Sequence, residues 1–160
     1  MHRYLPWCWY LFALIVVILD LFSKKWASSN FALYDREMVF SMFDLTLRHN
    51  YGAAFNFLAQ EGGWQRAFLA SVSSAVSIGL IVWIARLDQS KRLEALGMAL
   101  ILGGALGNLY DRATLGYVVD FILLHYKEME FPVFNIADLA ITLGVVILFW
   151  DALFDMKSEA

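Results

Sequence analysis

The chain has 160 residues, 61% of them hydrophobic and 17% charged, with a mean hydropathy of +0.60. A soluble domain is about 45–50% apolar, so the composition excludes an ordinary soluble domain and fits one membrane-embedded domain over residues 1–160. A net charge of −3 offers no basic patch for nucleic acid, the single cysteine, Cys8, excludes an intrachain disulfide, and His2, His49 and His125 stand in no metal-ligand spacing.

Four apolar stretches follow one another. The first is uncharged over residues 4–19 and continues, apart from Asp20, to Phe22. Residues 67–85 carry no charge, residues 95–110 are uncharged and glycine-rich, and residues 131–150 carry only Asp138. With their flanks they predict spans over 4–24, 66–86, 94–112 and 133–153, each near the roughly 20 residues that cross about 30 Å of hydrocarbon. The third is the shortest and reaches into its polar flanks. The first follows Met1-His2-Arg3 and has an alternative reading as a cleaved signal peptide. Its apolar run is long for that role and Ala27-Ser28-Ser29 is a poor cleavage site, so a retained span is expected.

The lysine and arginine tally over the whole chain does not decide orientation. The short connector 87–93 does, because it is flanked by Arg86, Lys91 and Arg92 and short loops carry the orientation signal best. Both termini are therefore expected in the cytoplasm and the connectors 27–65 and 113–132 outside. Phe43-Asp44-Leu45-Thr46-Leu47-Arg48 alternates apolar and polar residues, and Val118-Val119-Asp120-Phe121-Ile122 is rich in β-formers. The two segments are expected to pair in a small outer sheet. Asn50-Tyr51-Gly52-Ala53-Ala54-Phe55 follows the first strand, and its small residues fit a tight turn or a close approach by another chain.

Because successive spans are antiparallel, the ends of spans one and three meet the starts of spans two and four. Asp20 and Lys24, Arg66, Asn108 with Asp111 and Arg112, and Asn135 with Asp138 then all lie on one face, with Asp120 in the connector there. Asp120 and Asp138 sit in apolar sequence with no adjacent basic residue. A charge at the centre of a membrane helix costs roughly 2.5–3.5 kcal/mol on insertion scales, and two acids that resist joint ionisation supply acid–base chemistry.

Plainer readings exist for each position. Asn135 and Asp138 fit a helix N-cap with an acid at N3. Asp20 and Lys24, at i,i+4, fit a structural ion pair. Asp111 beside Arg112 reads as a rim charge, and His49 and His125 as surface residues. Gly103 and Gly107 form a G-x-x-x-G that draws helices together. Trp7, Trp9, Trp26, Trp64 and Trp150 fit interfacial belts. Ser71, Ser74 and Ser77 fit helix packing. A Ser23–Lys24 dyad is disfavoured, because adjacent helical residues do not face each other. Two rival functions remain at this point. A proton-coupled transporter would use the acids as relays, yet they cluster at one face and no inverted repeat is visible. A non-catalytic assembly subunit would use the glycines and leave the acids unexplained.

Five boxes together resemble the lipoprotein signal peptidase family, also called signal peptidase II. They are Asp20-Leu21-Phe22-Ser23-Lys24, the segment from Asn50 through Gly52 to Phe55, the segment from Gly103 through Asn108 to Arg112, Gly116-Tyr117-Val118-Val119-Asp120-Phe121, and Phe134-Asn135-Ile136-Ala137-Asp138. The resemblance implies a bacterial inner-membrane aspartic endopeptidase. Such enzymes remove the signal peptide of prolipoproteins by cutting just before a diacylglyceryl-modified cysteine. It implies four transmembrane helices with a small extracytoplasmic β-sheet and an amphipathic segment. It implies Asp120 and Asp138 as the catalytic pair, with Asn50, Gly52, Asn108, Arg112, Asn135, Asp20 and Lys24 lining or supporting the site. It implies no metal or other cofactor. The expected partners are the lipidated prolipoprotein and membrane lipids, with the enzyme itself a monomer.

Overall fold

A computed structural model describes residues 6–52 and 64–158, with side chains up to residue 154. Residues 53–63 lie outside the described residues, and with them the Ala53-Ala54-Phe55 part of the expected turn and the part of the first connector left for an amphipathic segment. Met1-His2-Arg3 and the Lys157 side chain also lie outside. Four helices carry the fold: α1 (Trp7–Asn30), α2 (Trp64–Arg86), α3 (Arg92–Thr114) and α4 (Ile136–Ser158). All four are long and apolar enough to cross a membrane. α2 and α3 start two residues before their predicted spans, and α1, α3 and α4 end two to six residues beyond theirs, because intrahelical hydrogen bonds continue past the uncharged core; α4 starts three residues later than predicted, at Ile136.

α3 is the central helix and the most buried of the four; α1, α2 and α4 pack around it. The glycines make this possible. A Cβ on Gly107 would stand 2.5 Å from Asp20 Oδ2, and one on Gly103 would stand 2.7 Å from Val16 Cβ, both on α1. A Cβ on Gly104 would strike the Ala137 carbonyl oxygen on α4. Small residues thus bring α1 and α4 against two flanks of one helix, as close packing in lipid requires. The outer helices turn Leu11, Ile18, Phe22, Ile78, Val146 and Phe149 outward, all exposed. A large exposed apolar surface suits hydrocarbon rather than water. The chain is an α-helical membrane protein with four transmembrane helices.

Over one end of the bundle lies a four-stranded antiparallel sheet in the order β1 (Arg36–Phe40), β2 (Phe43–Asn50), β3 (Val118–Tyr126) and β4 (Met129–Glu130). The expected pairing of the two central strands holds, with Phe43 opposite Leu124 and Arg48 opposite Asp120. β1 and β4 were not legible, because every residue of both is exposed and no alternation marks a half-buried face. Val119 and Phe121 of β3, with Leu47 of β2 and Ala27 of α1, form a small core between sheet and bundle. His125 is not a free surface residue. Its Nε2 lies 3.2 Å from Asp44 Oδ1, and Asp44 also pairs with Arg36. His49 stacks on Tyr117, with ring centroids 3.9 Å apart. Both are partly covered because cross-strand neighbours shield them.

Candidate active site

The site is built where β3 meets the start of α4. The segment before α4 docks on β3: Phe134 N–H donates to the Ile122 carbonyl at 3.0 Å, and Phe134 O accepts from Phe121 N–H at 3.0 Å. This pairing brings the first turn of α4 beside the inner end of β3. Asn135 then caps the helix, its Oδ1 accepting from Asp138 N–H at 2.9 Å. Asp138 Oδ2 accepts in return from Asn135 N–H at 3.3 Å. That is a reciprocal capping box, so the plain N-cap reading of this pair is correct. It is also incomplete, because the remaining atoms of both residues face the site.

Asn135 Nδ2 donates to Asp120 Oδ1 at 2.7 Å. Asn50 Nδ2 donates to Asp120 Oδ2 at 3.0 Å. Asn108 Nδ2 donates to Asp138 Oδ1 at 2.8 Å. The two carboxyls are therefore held by asparagine side chains from β2, α3 and the start of α4. Asp120 is only 3% exposed, while Asp138 is half-buried. Burial raises the Asp120 pKa to about 7, and the neighbouring Asp138 carboxylate adds to the rise. Hydrogen bonds from Asn50 and Asn135 and the charge of Lys24 act the other way and do not prevail. A buried carboxyl raised into the neutral range beside a second carboxyl is the raw material of acid–base chemistry.

Arg112 approaches from α3. Its Nη2 donates to the Gly52 carbonyl at 3.0 Å, and its charge is felt by Asp138 and Asp120. Gly52 is buried and its N–H donates to Asn50 Oδ1 at 3.0 Å, which turns Asn50 Nδ2 toward Asp120. Asp20 and Lys24 lie one layer deeper, paired at 2.7 Å. All nine residues singled out from the sequence thus converge.

One reading is corrected. Asp111 is not a rim charge. It is 3% exposed, lies 3.0 Å from Lys24 Nζ and accepts from Val119 N–H at 3.1 Å. The adjacent Arg112 suggested a local pair, but adjacent helical residues diverge, and Asp111 turns inward with Asn108 three residues earlier. Arg66 of α2 was noted only as part of the polar face. Its Nε and Nη2 donate to the carbonyls of Arg112 and Ala113 at 2.8 and 2.9 Å, satisfying the last turn of α3. The chain then turns at Gly116, whose φ of +90° is open to glycine at little cost.

Comparisons with known proteins place the chain in a family. The family model described as Signal peptidase (SPase) II matches residues 12–154. A lipoprotein signal peptidase of Teredinibacter turnerae is 56% identical over 149 residues, covering 93% of this chain and 89% of the relative. Its namesake in Pseudomonas aeruginosa is 46% identical over 156 residues, covering 96% of this chain and 91% of the relative. A solved structure described as a bacterial membrane enzyme, at 2.3 Å resolution, superposes with a TM-score of 0.89 at 30% identity, covering 100% of this chain and 96% of that one. The match runs from the first span to the last, and the chain belongs to the signal peptidase II family.

Proposed function

We propose that this protein is a membrane aspartic endopeptidase. It removes the signal peptide from prolipoproteins by cutting on the N-terminal side of a diacylglyceryl-modified cysteine, with Asp120 and Asp138 as the catalytic pair. The observation that carries the reading is the pair itself: two carboxyls from different elements, each held by an asparagine amide, one of them raised to about 7.

The chemistry follows from that asymmetry. Asp138 sits in the first turn of α4, where Asn108 Nδ2 donates to its Oδ1, and it serves as the base of the pair. Asp120, on a strand and buried, keeps the shared proton. The Asp138 carboxylate takes a proton from water as the water oxygen bonds to the scissile carbonyl carbon. Asp120 gives its proton to the carbonyl oxygen. As the tetrahedral diol collapses, Asp120 recovers that proton, the C–N bond breaks, and Asp138 passes its proton to the departing amine. Both groups return to their starting states. Arg112 supports the developing charge on the substrate, and Asn50 with Gly52 shapes the wall of the site. The apolar faces of the helices accept the signal helix and the lipid tails.

A proton relay would need polar groups along the whole path. Among the described residues, Ser77 is the one buried polar side chain in mid-span, and the others lie at the end that carries the sheet. The short connector between Arg86 and Arg92 supports cytoplasmic termini in a bacterial inner membrane, with the sheet and the site on the extracytoplasmic side. The enzyme acts as a monomer. The deciding experiment incubates the purified protein in detergent with a diacylglyceryl-modified prolipoprotein and with its unlipidated form. Mass spectrometry should find the signal peptide released from the first only. No release from the lipidated substrate would overturn the assignment.

A further inference from the structure

Three charged side chains beneath the dyad take no part in the steps above: Asp20 and Lys24 on α1, and Asp111 on α3. They are 0%, 2% and 3% exposed. The Lys24 ammonium lies 2.7 Å from Asp20 Oδ2 and 3.0 Å from Asp111 Oδ2. It also donates to Asn108 Oδ1 at 2.9 Å. An ammonium has three protons, and here it meets three acceptors. The Asp20 contact is ionic rather than directed, since its Oδ2 accepts no well-aligned hydrogen bond.

Each acceptor reaches past the lysine to the chain that carries the dyad. Asp20 Oδ1 accepts from Ala137 N–H at 2.8 Å, and Ala137 immediately precedes Asp138. Asp111 Oδ2 accepts from Val119 N–H at 3.1 Å, and Val119 immediately precedes Asp120. Asn108 donates to Asp138 itself at 2.8 Å. An ammonium is donor-only, so Asn108 must turn its oxygen to Lys24 and its nitrogen to Asp138.

From these contacts, and resting on the peptidase reading, we infer that Lys24 with Asp20 and Asp111 is a positioning clamp. It fixes the backbone next to each catalytic aspartate, and so their separation, and it locks the Asn108 amide toward Asp138. A triad that merely held α1 to α3 would not need its carboxylates on these two backbone N–H groups. Their place is one residue before Asp120 and one before Asp138, on two different elements. The clamp therefore converts helix packing into dyad geometry.

The test compares Lys24→Met, Asp111→Ala and Asp111→Asn with the parent enzyme. Cleavage of a diacylglyceryl-modified prolipoprotein is followed in detergent from pH 5 to 9, and kcat is expressed per folded molecule. Misplacing a catalytic group by about 1 Å costs about 10²-fold, so Lys24→Met and Asp111→Ala should lose about that factor in kcat with KM unchanged. Asp111→Asn keeps an oxygen for Val119 N–H and should recover much of the Asp111→Ala loss. Lys24→Met should also move the alkaline limb of the profile to higher pH, because the cation that favours ionised Asp120 is gone. Wild-type kcat and an unmoved limb in folded Lys24→Met, or equal rates for Asp111→Ala and Asp111→Asn, would overturn the clamp. Where Lys24→Met does not fold, the Asp111 pair decides alone. Asp138→Asn in the same assay separates the two levels. If it still cleaves, the dyad reading fails; if it is inactive while the clamp variants are normal, only the clamp fails.

Discussion

Asn135 donates its side-chain nitrogen to Asp120 Oδ1 at 2.7 Å while its side-chain oxygen accepts from the backbone N–H of Asp138 at 2.9 Å. One amide therefore ties the strand acid to the helix acid. Asn135 is fully buried, and a buried amide with every end satisfied has one orientation. The raised pKa of Asp120 arises within this frame.

The rate should fall as pH rises through about 7, because the monoprotonated dyad is the active form and Asp120 holds its proton up to about that value. The charged groups around Asp120 are Asp138 and Lys24, Arg112 and, across the strand pair, Arg48. A kcat that stays flat to pH 9 would show that Asp120 does not carry the proton.

Stability should move with the same group. The folded-state pKa of Asp120, about 7, lies above its ordinary value of 3.8, so the folded protein binds this proton more tightly than the unfolded chain. Its contribution is complete below about pH 4 and is lost as pH rises through 7. Asp120→Asn removes that dependence. The difference in Tm between Asp120→Asn and wild type should grow in favour of the variant from pH 5 to pH 8. A constant difference would mean that the carboxyl is not protonated in the folded state.

Gly107→Ala sets helix propensity against packing. Alanine improves an exposed helical glycine by about 0.8–1.0 kcal/mol, but overpacking costs about 1–3 kcal/mol. The new methyl would meet Asp20 Oδ2 at 2.5 Å, a buried atom held by Lys24. Packing should prevail, with lower Tm and lower activity. Gly79→Ala is the counterpart, since nothing lies within 4 Å of its Cβ position, and it should raise Tm. Equal effects of the two changes would show that α1 does not press on α3 at Gly107.

Much of this was legible in the sequence because membrane helices declare themselves by length and polarity. The four spans followed from uncharged runs, and the shared face followed from their antiparallel order. Asp111 was misjudged because the chain neighbour Arg112 outweighed the turn-spaced Asn108. Its true partners, Lys24 and Val119 N–H, lie on other elements, and no local pattern reveals them. β1 stayed hidden for the opposite reason, since an exposed edge strand has no buried face to impose a period of two.

Orientation is tested directly by labelling. Single cysteines at Gln89, in the short connector, and at Glu128, in the exposed turn between β3 and β4, are placed in a Cys8→Ser background, because Cys8 is itself exposed. In intact cells whose outer barrier has been made permeable, a membrane-impermeant maleimide should react with the cysteine at 128 and spare the one at 89. Equal reaction from outside would reverse or break the proposed topology.

The dyad itself gives the sharpest expectation. Asp120→Asn and Asp138→Asn should each abolish signal-peptide removal while the protein still folds and inserts. Asparagine keeps the size and an acceptor oxygen for Asn50 or Asn135 but cannot exchange a proton near neutral pH. Loss of a positioned acid–base group costs about 10²–10⁴-fold. Groups that act as a unit are not additive, so the double variant should be little slower than either single one. Among the described residues no three His, Cys, Asp or Glu side chains converge as a metal site, so a chelator should leave the wild-type rate unchanged. Near-normal cleavage by a folded Asp120→Asn or Asp138→Asn preparation, with lipidated substrate present, would falsify the assignment. A double variant that is slower by the product of the two single effects would leave both acids important but would show that they act in separate steps, not as one proton-sharing pair.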